Sequence, residues 1–223
     1  MAHSRQLISA VLASGGIEST VLIDLVRHRR YRAIPLYIRS GYIWETTEIY
    51  HLKQLLKSLG GRLLRDLVIL KAPLYSDYPH PHWSLTGNHP PSVRSDASAV
   101  FLEGRNLHLI AQASIYCSLN RIPSLHIGVL KTNPFRDGNR HYFSLFQRVL
   151  NQSLKAPPLI KTPFLQKTKK EVLQIGSHLP LHLTWSCLSP YKKCHCGRCN
   201  KCAERQDGFK VAGLPDKTKY RDS

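Results

Sequence analysis

Four cysteines near the end of the chain have the spacing of a metal site. Three are separated by two residues each and the fourth lies upstream: the set is Cys187, Cys196, Cys199 and Cys202. Four thiolates close a tetrahedron around one ion and leave no position open, which is typical of structural zinc. An iron–sulfur cluster also uses this spacing, but the ferredoxin pattern continues with x3-Cys-Pro, where this chain has Gln206-Asp207. The spacing favours structural zinc, with Cys194 and His195 as alternative ligands or bystanders.

A second candidate site is the loop of small residues at 14–20, Ser-Gly-Gly-Ile-Glu-Ser-Thr, which follows an apolar run and precedes another. Its two glycines allow a tight turn, and Ser19 and Thr20 place hydroxyls at a helix start, where N–H groups lack internal partners. Such a helix start binds anions, phosphate above all. The loop is neither a Walker A motif nor a dinucleotide fingerprint. Taken alone, a simple turn between strand and helix is an equally good interpretation.

Two other positions indicate ligand contact. Arg105, in Glu103-Gly104-Arg105-Asn106, stands near a predicted helix start, where a guanidinium indicates an anion. An ordinary surface arginine is the alternative. Gly128 lies in the apolar run 124–129, and a glycine within a strand allows a ligand to approach the backbone closely.

Residues 73–98 interrupt the regular pattern. Five prolines in this stretch predict that no regular element forms, and such a loop is usually a lid, a binding loop or disordered. Its rings have no standard metal-ligand spacing, so loop packing and surface positions are expected of them. They are Tyr75, Tyr78, His80, His82, Trp83 and His89.

The strands and helices that must position these residues alternate along the chain. Strands are predicted at 7–13, 33–38, 67–70, 124–129 and 159–164. Helices are predicted after the loop, at 45–59, after Asn106, at 141–154 and from the capping box that Thr168 forms with Glu171. The apolar faces of the third and fourth helices are assigned to Leu107, Ile110, Ala111 and Ile115, and to Phe143, Leu145, Phe146, Val149 and Leu150.

This alternation predicts an α/β fold with a parallel twisted sheet and helices on both faces. Ligands of such sheets bind at the C-terminal ends of the strands, where the loop at 14–20 lies. A length of 223 residues suits one α/β domain, predicted at 1–180, with a small zinc-binding extension at 181–223 packed on it. Cys117 falls in an apolar helical pattern and is assigned to the core rather than to catalysis.

Composition narrows the class of protein. Lysine and arginine outnumber the acids by 32 to 14, a formal net charge of +18, which indicates anionic partners such as ATP or nucleic acid. The positive residues are scattered rather than gathered in one arm. No apolar run is long enough to span a membrane, and the N-terminus lacks signal-peptide features. A cytoplasmic protein with reduced thiols is therefore expected.

Together these motifs resemble the 7-cyano-7-deazaguanine synthase family of PP-loop ATP pyrophosphatases over nearly the whole chain. The family's Ser-Gly-Gly-x-Asp-Ser loop corresponds to residues 14–19, and its Pro-Gly-Arg-Asn to residues 103–106. Its glycine-bearing strand and its Glu-Thr-Pro-Leu segment correspond to 127–129 and 161–164. Its zinc pattern, Cys-x8-Cys-Gly-x-Cys-x2-Cys with a following arginine, matches the four cysteines and Arg205 and leaves Cys194 out.

The resemblance implies an adenine nucleotide α-hydrolase-like PP-loop fold that activates a carboxylate with ATP. Attack on the α-phosphorus gives an acyl-adenylate and pyrophosphate, and ammonia then displaces AMP to give an amide. The family uses 7-carboxy-7-deazaguanine as the acid and converts the amide to the nitrile with a second ATP. The implied cofactors are ATP, magnesium and structural zinc. The implied catalytic residues are Ser14, Glu18, Ser19 and Arg105, and the implied nucleotide-binding residues are Ser14, Gly15, Gly16, Glu18, Ser19, Thr20 and Gly128.

Three departures from the family pattern leave alternatives open. Glu18 stands where the loop has aspartate, Glu103 stands where the family has proline, and the substrate segment is only loosely present at 135–140. One alternative is a PP-loop ligase that joins a deazaguanine-type acid to a protein or another amine. Others are an RNA-modifying PP-loop enzyme and a catalytically inactive binding protein. A protein or RNA partner would suit the positive charge, and a homodimer is also open.

Overall fold

The computed structural model describes residues 7–74 and 82–221. Its strands are β1 (Ile8–Leu12), β2 (Arg32–Arg39), β3 (Val68–Lys71), β4 (Ser124–His126) and β5 (Leu159–Lys161). Its helices are α1 (Ile17–His28), α2 (Glu45–Leu59), α3 (Trp83–Thr86), α4 (Arg105–Leu119), α5 (Arg140–Ser153), α6 (Lys169–Ile175) and α7 (Asn200–Ala212). Short 3-10 turns lie at Ala97–Val100 and Leu181–Leu183.

The five strands form one parallel sheet in the order β3-β2-β1-β4-β5, as the alternating pattern predicts. The first strand of the chain lies at the centre, paired with β2 on one side and β4 on the other. The strand order therefore reverses at β1, and a crevice opens there at the C-terminal ends of the strands. β5 lies at one edge, as expected.

Alternate side chains of the strands face two apolar layers. Val11 and Tyr37 point towards α1, α2, α6 and α7, whereas Ala10 and Ile34 point towards α4 and α5. The period of two along each strand thus explains why both faces need helical cover. Cys117 is fully buried in the second layer, which confirms its assignment to the core.

The predicted faces of α4 and α5 are partly wrong. Leu107 and Ile115 are 56% and 44% exposed, and Val149 is 57% exposed. The helices instead contact the sheet through residues three or four apart on a narrower stripe: Ile110, Ala113 and Cys117 in α4, and Phe143, Phe146 and Leu150 in α5. A helix packed on one face of a sheet buries only the stripe that faces the strands, so further apolar positions remain in solvent.

The stretch 73–98 also differs from its prediction, because it contains α3 despite the prolines. His82 caps this short helix by accepting from the Ser84 N–H group, and Trp83 stacks on Trp44 at 5.8 Å between ring centroids. These contacts are the packing role expected of the rings. Three of the rings lie outside the described residues: Tyr75, Tyr78 and His80.

A third apolar cluster joins the cysteine segment to the rest of the chain. Tyr42, Trp44 and Leu102 pack there against Trp185 and the buried cysteines. A bridge between Ser92 and Cys199 adds a backbone connection. The proposed boundary between 180 and 181 stays a prediction. Within the described residues, none of the helices is long and apolar enough to cross a membrane.

Candidate functional site

The four predicted metal ligands converge. The sulfur atoms of Cys187, Cys196, Cys199 and Cys202 all lie within 4.8 Å of one another. Cys199 is the N-cap of α7 and Cys202 lies in its first turn, so one helix start supplies two of the four. Cys194 is outside this group, because its backbone closes a turn with Tyr191. Its omission from the ligand set therefore agrees with the geometry.

The donor set fits a single tetrahedral ion. Zinc–sulfur bonds of about 2.3 Å place tetrahedral sulfurs about 3.8 Å apart, and the sulfurs of Cys196 and Cys202 are 3.9 Å apart. Backbone N–H groups point at the sulfurs: that of Cys196 donates to Cys187 at 3.3 Å, and that of Leu188 donates to Cys199 at 3.5 Å. Hydrogen bonds among the thiols lower the pKa of Cys196 and raise that of Cys187, so Cys196 is the first of the two to become the thiolate that a metal requires.

The loop at 14–19 joins β1 to α1 in a compact turn. Gly15 has a φ of +78°, a conformation that favours glycine, and Gly16 is the N-cap of α1. The Gly16 N–H group donates to the Ser14 hydroxyl at 3.3 Å. The hydroxyls of Ser19 and Thr20 donate back to the Gly16 carbonyl at 3.1 and 2.8 Å. The helix start is thus held in shape by its own hydroxyls.

One cavity at the C-terminal ends of β1, β2 and β4 brings together most of the predicted residues. Those that line it are Ser14, Glu18, Ser19, Arg105 and Gly128. Those that do not are Gly15, Gly16 and Thr20. The loop at 14–19 and helix α4, which starts at Arg105, are far apart in the chain but face the same space. Sequence spacing alone does not reveal this.

Gly128 permits a close approach of the chain itself, in addition to lining the cavity. A Cβ atom at Gly128 would lie 3.0 Å from the Cβ of Glu18 and 3.3 Å from its carbonyl carbon. The strand end and the first turn of α1 therefore touch at this glycine. Because Gly128 has no side chain, the loop can lie this close to the end of β4.

Arg105 begins α4 after Gly104, which has a φ of +71°. The Nε atom of Arg105 is buried and has no hydrogen-bond partner within the described part of the chain. Asn106 next to it is fixed by donating to the Asp137 carbonyl at 3.0 Å. A buried, unsatisfied guanidinium N–H that lines a cavity is suited to an anionic or carbonyl group of a ligand.

Two buried acids that the sequence did not predict as site residues, Glu45 and Glu48, line the other wall of the cavity. Glu45 accepts from the Ser40 and Gly41 N–H groups at 2.5 and 2.9 Å, and Glu48 accepts from the Tyr37 hydroxyl at 2.5 Å. Burial raises the pKa of Glu48 to about 7. The signal that would have found them is a pair of acids three residues apart just after the C-terminal end of a central strand.

Glu18 is engaged in an ion pair that the sequence did not predict. Its carboxylate contacts the Lys169 ammonium at the start of α6. Lys169 also lies 3.5 Å from Glu204 on α7. Burial alone would lower the pKa of Lys169, but the two carboxylates outweigh it and raise that pKa. The first turn of α1 is thus tied to α7, at whose start two of the four cysteines lie.

The fold and the loop define a class of protein, the PP-loop α/β proteins. The chain is similar in structure to the U34-tRNA thiolase NcsA from Methanococcus maripaludis with its 4Fe–4S cluster. The TM-score is 0.53 at 11% sequence identity, and the match covers 92% of this chain and 67% of that one. At this identity the likeness concerns the fold alone. It confirms the predicted parallel α/β architecture.

Sequence comparison then gives the family. A family model described as "Queuosine biosynthesis protein QueC" matches residues 8–213, and the chain belongs to this family. Among its relatives is a 7-cyano-7-deazaguanine synthase of Methanothrix thermoacetophila, 26% identical over 94% of this chain and 97% of the relative. Another is the 7-cyano-7-deazaguanine synthase of Methanospirillum hungatei, 29% identical over 94% of this chain and 98% of the relative. The resemblance stated from the motifs is confirmed.

Proposed function

We propose that the protein converts 7-carboxy-7-deazaguanine and ammonia to 7-cyano-7-deazaguanine at the expense of ATP, through adenylated carboxylate and amide intermediates. Such a protein is an ATP-dependent C–N ligase, and a cytoplasmic location suits it. The family and its synthase-named relatives support this assignment. The observation that carries it is the single cavity lined by both the PP-loop and Arg105.

The places of the residues in that cavity support the roles proposed for them. The helix start at Ser14–Ser19 offers backbone N–H groups to the phosphates, because the first turn of a helix has unpaired donors. The hydroxyls of Ser19 and Thr20 would turn from the Gly16 carbonyl to join them. Arg105 stands across the cavity, where its guanidinium stabilises negative charge on the α-phosphate as the acid carboxylate attacks. Pyrophosphate leaves, ammonia forms the new C–N bond, and AMP leaves with the bonding electrons of the C–O bond.

Two kinds of metal accompany this assignment. Magnesium, when bound, neutralises phosphate charge, and Glu18 is the acid of the loop that would help to hold it. Lys169 currently satisfies its carboxylate. The four cysteines would hold structural zinc, since they supply four sulfur ligands and no open position. An iron–sulfur cluster is the alternative for the same four sulfurs.

One observation favours a second candidate function. The formal charge of +18 exceeds what a small anionic substrate requires, and it suits an RNA or an acidic protein as the acceptor. In that case the activated acid would be joined to an amine of the partner rather than to ammonia. A catalytically inactive binding protein is the third possibility, since Glu18 replaces the family's aspartate.

Product analysis tests these proposals. The metal-replete protein is incubated with magnesium, ATP, ammonium and 7-carboxy-7-deazaguanine, and mass spectrometry is used to detect the amide, the nitrile, AMP and pyrophosphate. Arg105→Ala should lower the rate by about 100-fold or more, as expected for loss of a donor to developing charge. Arg94→Ala, at an exposed arginine outside the cavity, is the matched control and should retain activity.

The absence of both amide and nitrile with the wild-type chain would refute the synthase assignment. Release of AMP without either product would instead point to another acceptor. Covalent labelling of an added RNA or protein by the deazaguanine acid would then establish the ligase alternative. The absence of any ATP turnover would favour the binding protein.

A further inference from the structure

We propose that the four-cysteine segment is a positioning element of the PP-loop, so that metal binding at the cysteines and nucleotide binding at residues 14–19 are energetically coupled. This inference rests on the proposed nucleotide site. It assigns a function to the metal centre beyond stabilising its own segment. Two separate sets of contacts connect the centre to the loop.

The first connection is through the backbone of Trp185, two residues before the ligand Cys187. Its N–H group donates to the carbonyl of Gly15 in the PP-loop at 2.8 Å. Its indole N–H donates to the Cys187 carbonyl at 3.1 Å, and its ring stacks on His51 of α2 at 4.5 Å. Because the indole is 1% exposed, Trp185 has little freedom to move. The position of Gly15 is thus set from the cysteine segment.

Arg205 fixes the chain that leads into Trp185. It lies on α7, three residues after the ligand Cys202, and is 1% exposed. Its guanidinium donates to the Leu181 carbonyl and to the Thr184 hydroxyl, each at 2.7 Å. A buried guanidinium with several short hydrogen bonds holds these backbone positions firmly. Helix α7, which has Cys199 as its N-cap and carries Cys202, therefore also fixes the segment that contacts the loop.

The second connection is electrostatic. Glu204, two residues after Cys202, lies 3.5 Å from the ammonium of Lys169, and Lys169 pairs with Glu18 in the first turn of α1. The side chains of Glu18 and Lys169 are 19% and 20% exposed, so solvent screens their pair less than a surface pair. Glu204 also pairs with Lys201 at 2.6 Å on its other side. In the part of the chain that the structure describes, Lys201 forms its ion pair with Glu204 rather than with the loop, and it therefore provides a matched control.

Coupling between two sites is reciprocal, because each ligand changes the affinity of the other by the same factor. Without the metal, the start of α7 loses its anchor, and both connections to the PP-loop loosen. Nucleotide then has to order the loop at the cost of its own binding free energy. Conversely, a nucleotide bound at the loop holds Trp185 and Lys169 in place and slows metal release from the cysteines.

The test uses α,β-methylene-ATP, an analogue that cannot be cleaved at the α–β bond, with magnesium. Its Kd is measured by calorimetry for the metal-loaded wild type, Glu204→Gln and Lys201→Gln, with metal content determined in the same samples. Glu204→Gln should raise the Kd by about 5-fold, the lower range of measured coupling, while Lys201→Gln leaves it unchanged. The analogue should also slow transfer of the metal from the wild type to a chelator, and slow it less in Glu204→Gln.

Equal Kd values for all three proteins, together with metal release that the analogue does not affect, would overturn the coupling. If Glu204→Gln does not fold or loses its metal, the metal-release measurement on the wild type decides alone. A wild type that binds no analogue would overturn both the coupling and the proposed function. A wild type that shows the coupling but forms no amide or nitrile would overturn the proposed function only.

Discussion

Replacing Glu48 by glutamine should stabilise the protein in a pH-dependent way. Glu48 is 8% exposed and accepts a hydrogen bond from Tyr37 at 2.5 Å. Burial disfavours its ionised form and raises its pKa from an ordinary value of 4.5 to about 7. The attraction of Arg105 and the repulsion of Glu45 are already contained in that value. Glutamine keeps the shape and an acceptor for Tyr37 but carries no charge at any pH.

The magnitude follows from proton linkage. Below pH 4.5 Glu48 is protonated in both the folded and the unfolded chain, so it does not lower the free energy of unfolding. Between pH 4.5 and about 7 the unfolded chain releases the proton while the folded chain retains it, so stability falls as pH rises. Each pKa unit is worth about 1.4 kcal/mol, which gives a cost of about 3 kcal/mol above pH 7. Glu48→Gln should recover most of this at pH 8 and almost none near pH 4.5.

Urea unfolding of the wild type and Glu48→Gln, followed by circular dichroism at several pH values, measures this difference. Glu171→Gln is a control of opposite sign, because the Thr168 N–H group lowers the pKa of Glu171. That variant should lose stability at neutral pH relative to acid pH. A Glu48→Gln effect that is the same at pH 5 and pH 8 would refute the assignment of a proton to Glu48 in the folded state.

Three further predictions concern the loop, the metal and a helix cap. Cys196→Ser should remove the metal, which we expect at about one ion per chain, and make the protein insoluble; an unchanged metal content by elemental analysis would contradict this. Gly128→Ala should raise the Kd for ATP about 10-fold, as measured by calorimetry. The added Cβ would lie 3.0 Å from the Cβ of Glu18, and overpacking of this kind costs about 1–3 kcal/mol. Thr168→Ala should cost about 1 kcal/mol and lower the Tm by about 2–4 °C, since it removes the capping box of α6; an unchanged melting curve would argue against that cap.

Much of the architecture could be predicted, because it depends on local patterns. The bounds of α2 were predicted at 45–59 and are Glu45–Leu59, since an apolar stripe ends at two glycines. The capping box that Thr168 forms with Glu171 is present, and the four cysteines converge as their spacing requires. In each case the signal lies within about 15 residues of sequence, where periodicity and spacing are informative.

The parts that could not be predicted depend on contacts between distant segments. The pairing of Glu18 with Lys169 joins positions 151 residues apart, and nothing near either residue indicates the other. In the sequence, Glu45 and Glu48 have the pattern of the polar start of a helix. Only the fold shows that they lie at the cavity. The exposed side of α4 was misassigned because an apolar stripe does not reveal how much of it the sheet covers.

The central place of β1 has a consequence for how the chain is made. One edge of β1 pairs with β2, which follows soon after it in the chain, and the other edge pairs with β4. The hydroxyls of Ser9 and Ser124 meet across the β1–β4 pair, although these residues are 115 positions apart. During synthesis, an apolar strand with an unpaired edge is therefore present until more than half of the chain has emerged. Such an edge invites pairing with other nascent chains. Slower release of residues 13–123 from the ribosome should thus reduce the yield of native protein, whereas a chaperone that shields the edge of β1 should restore it.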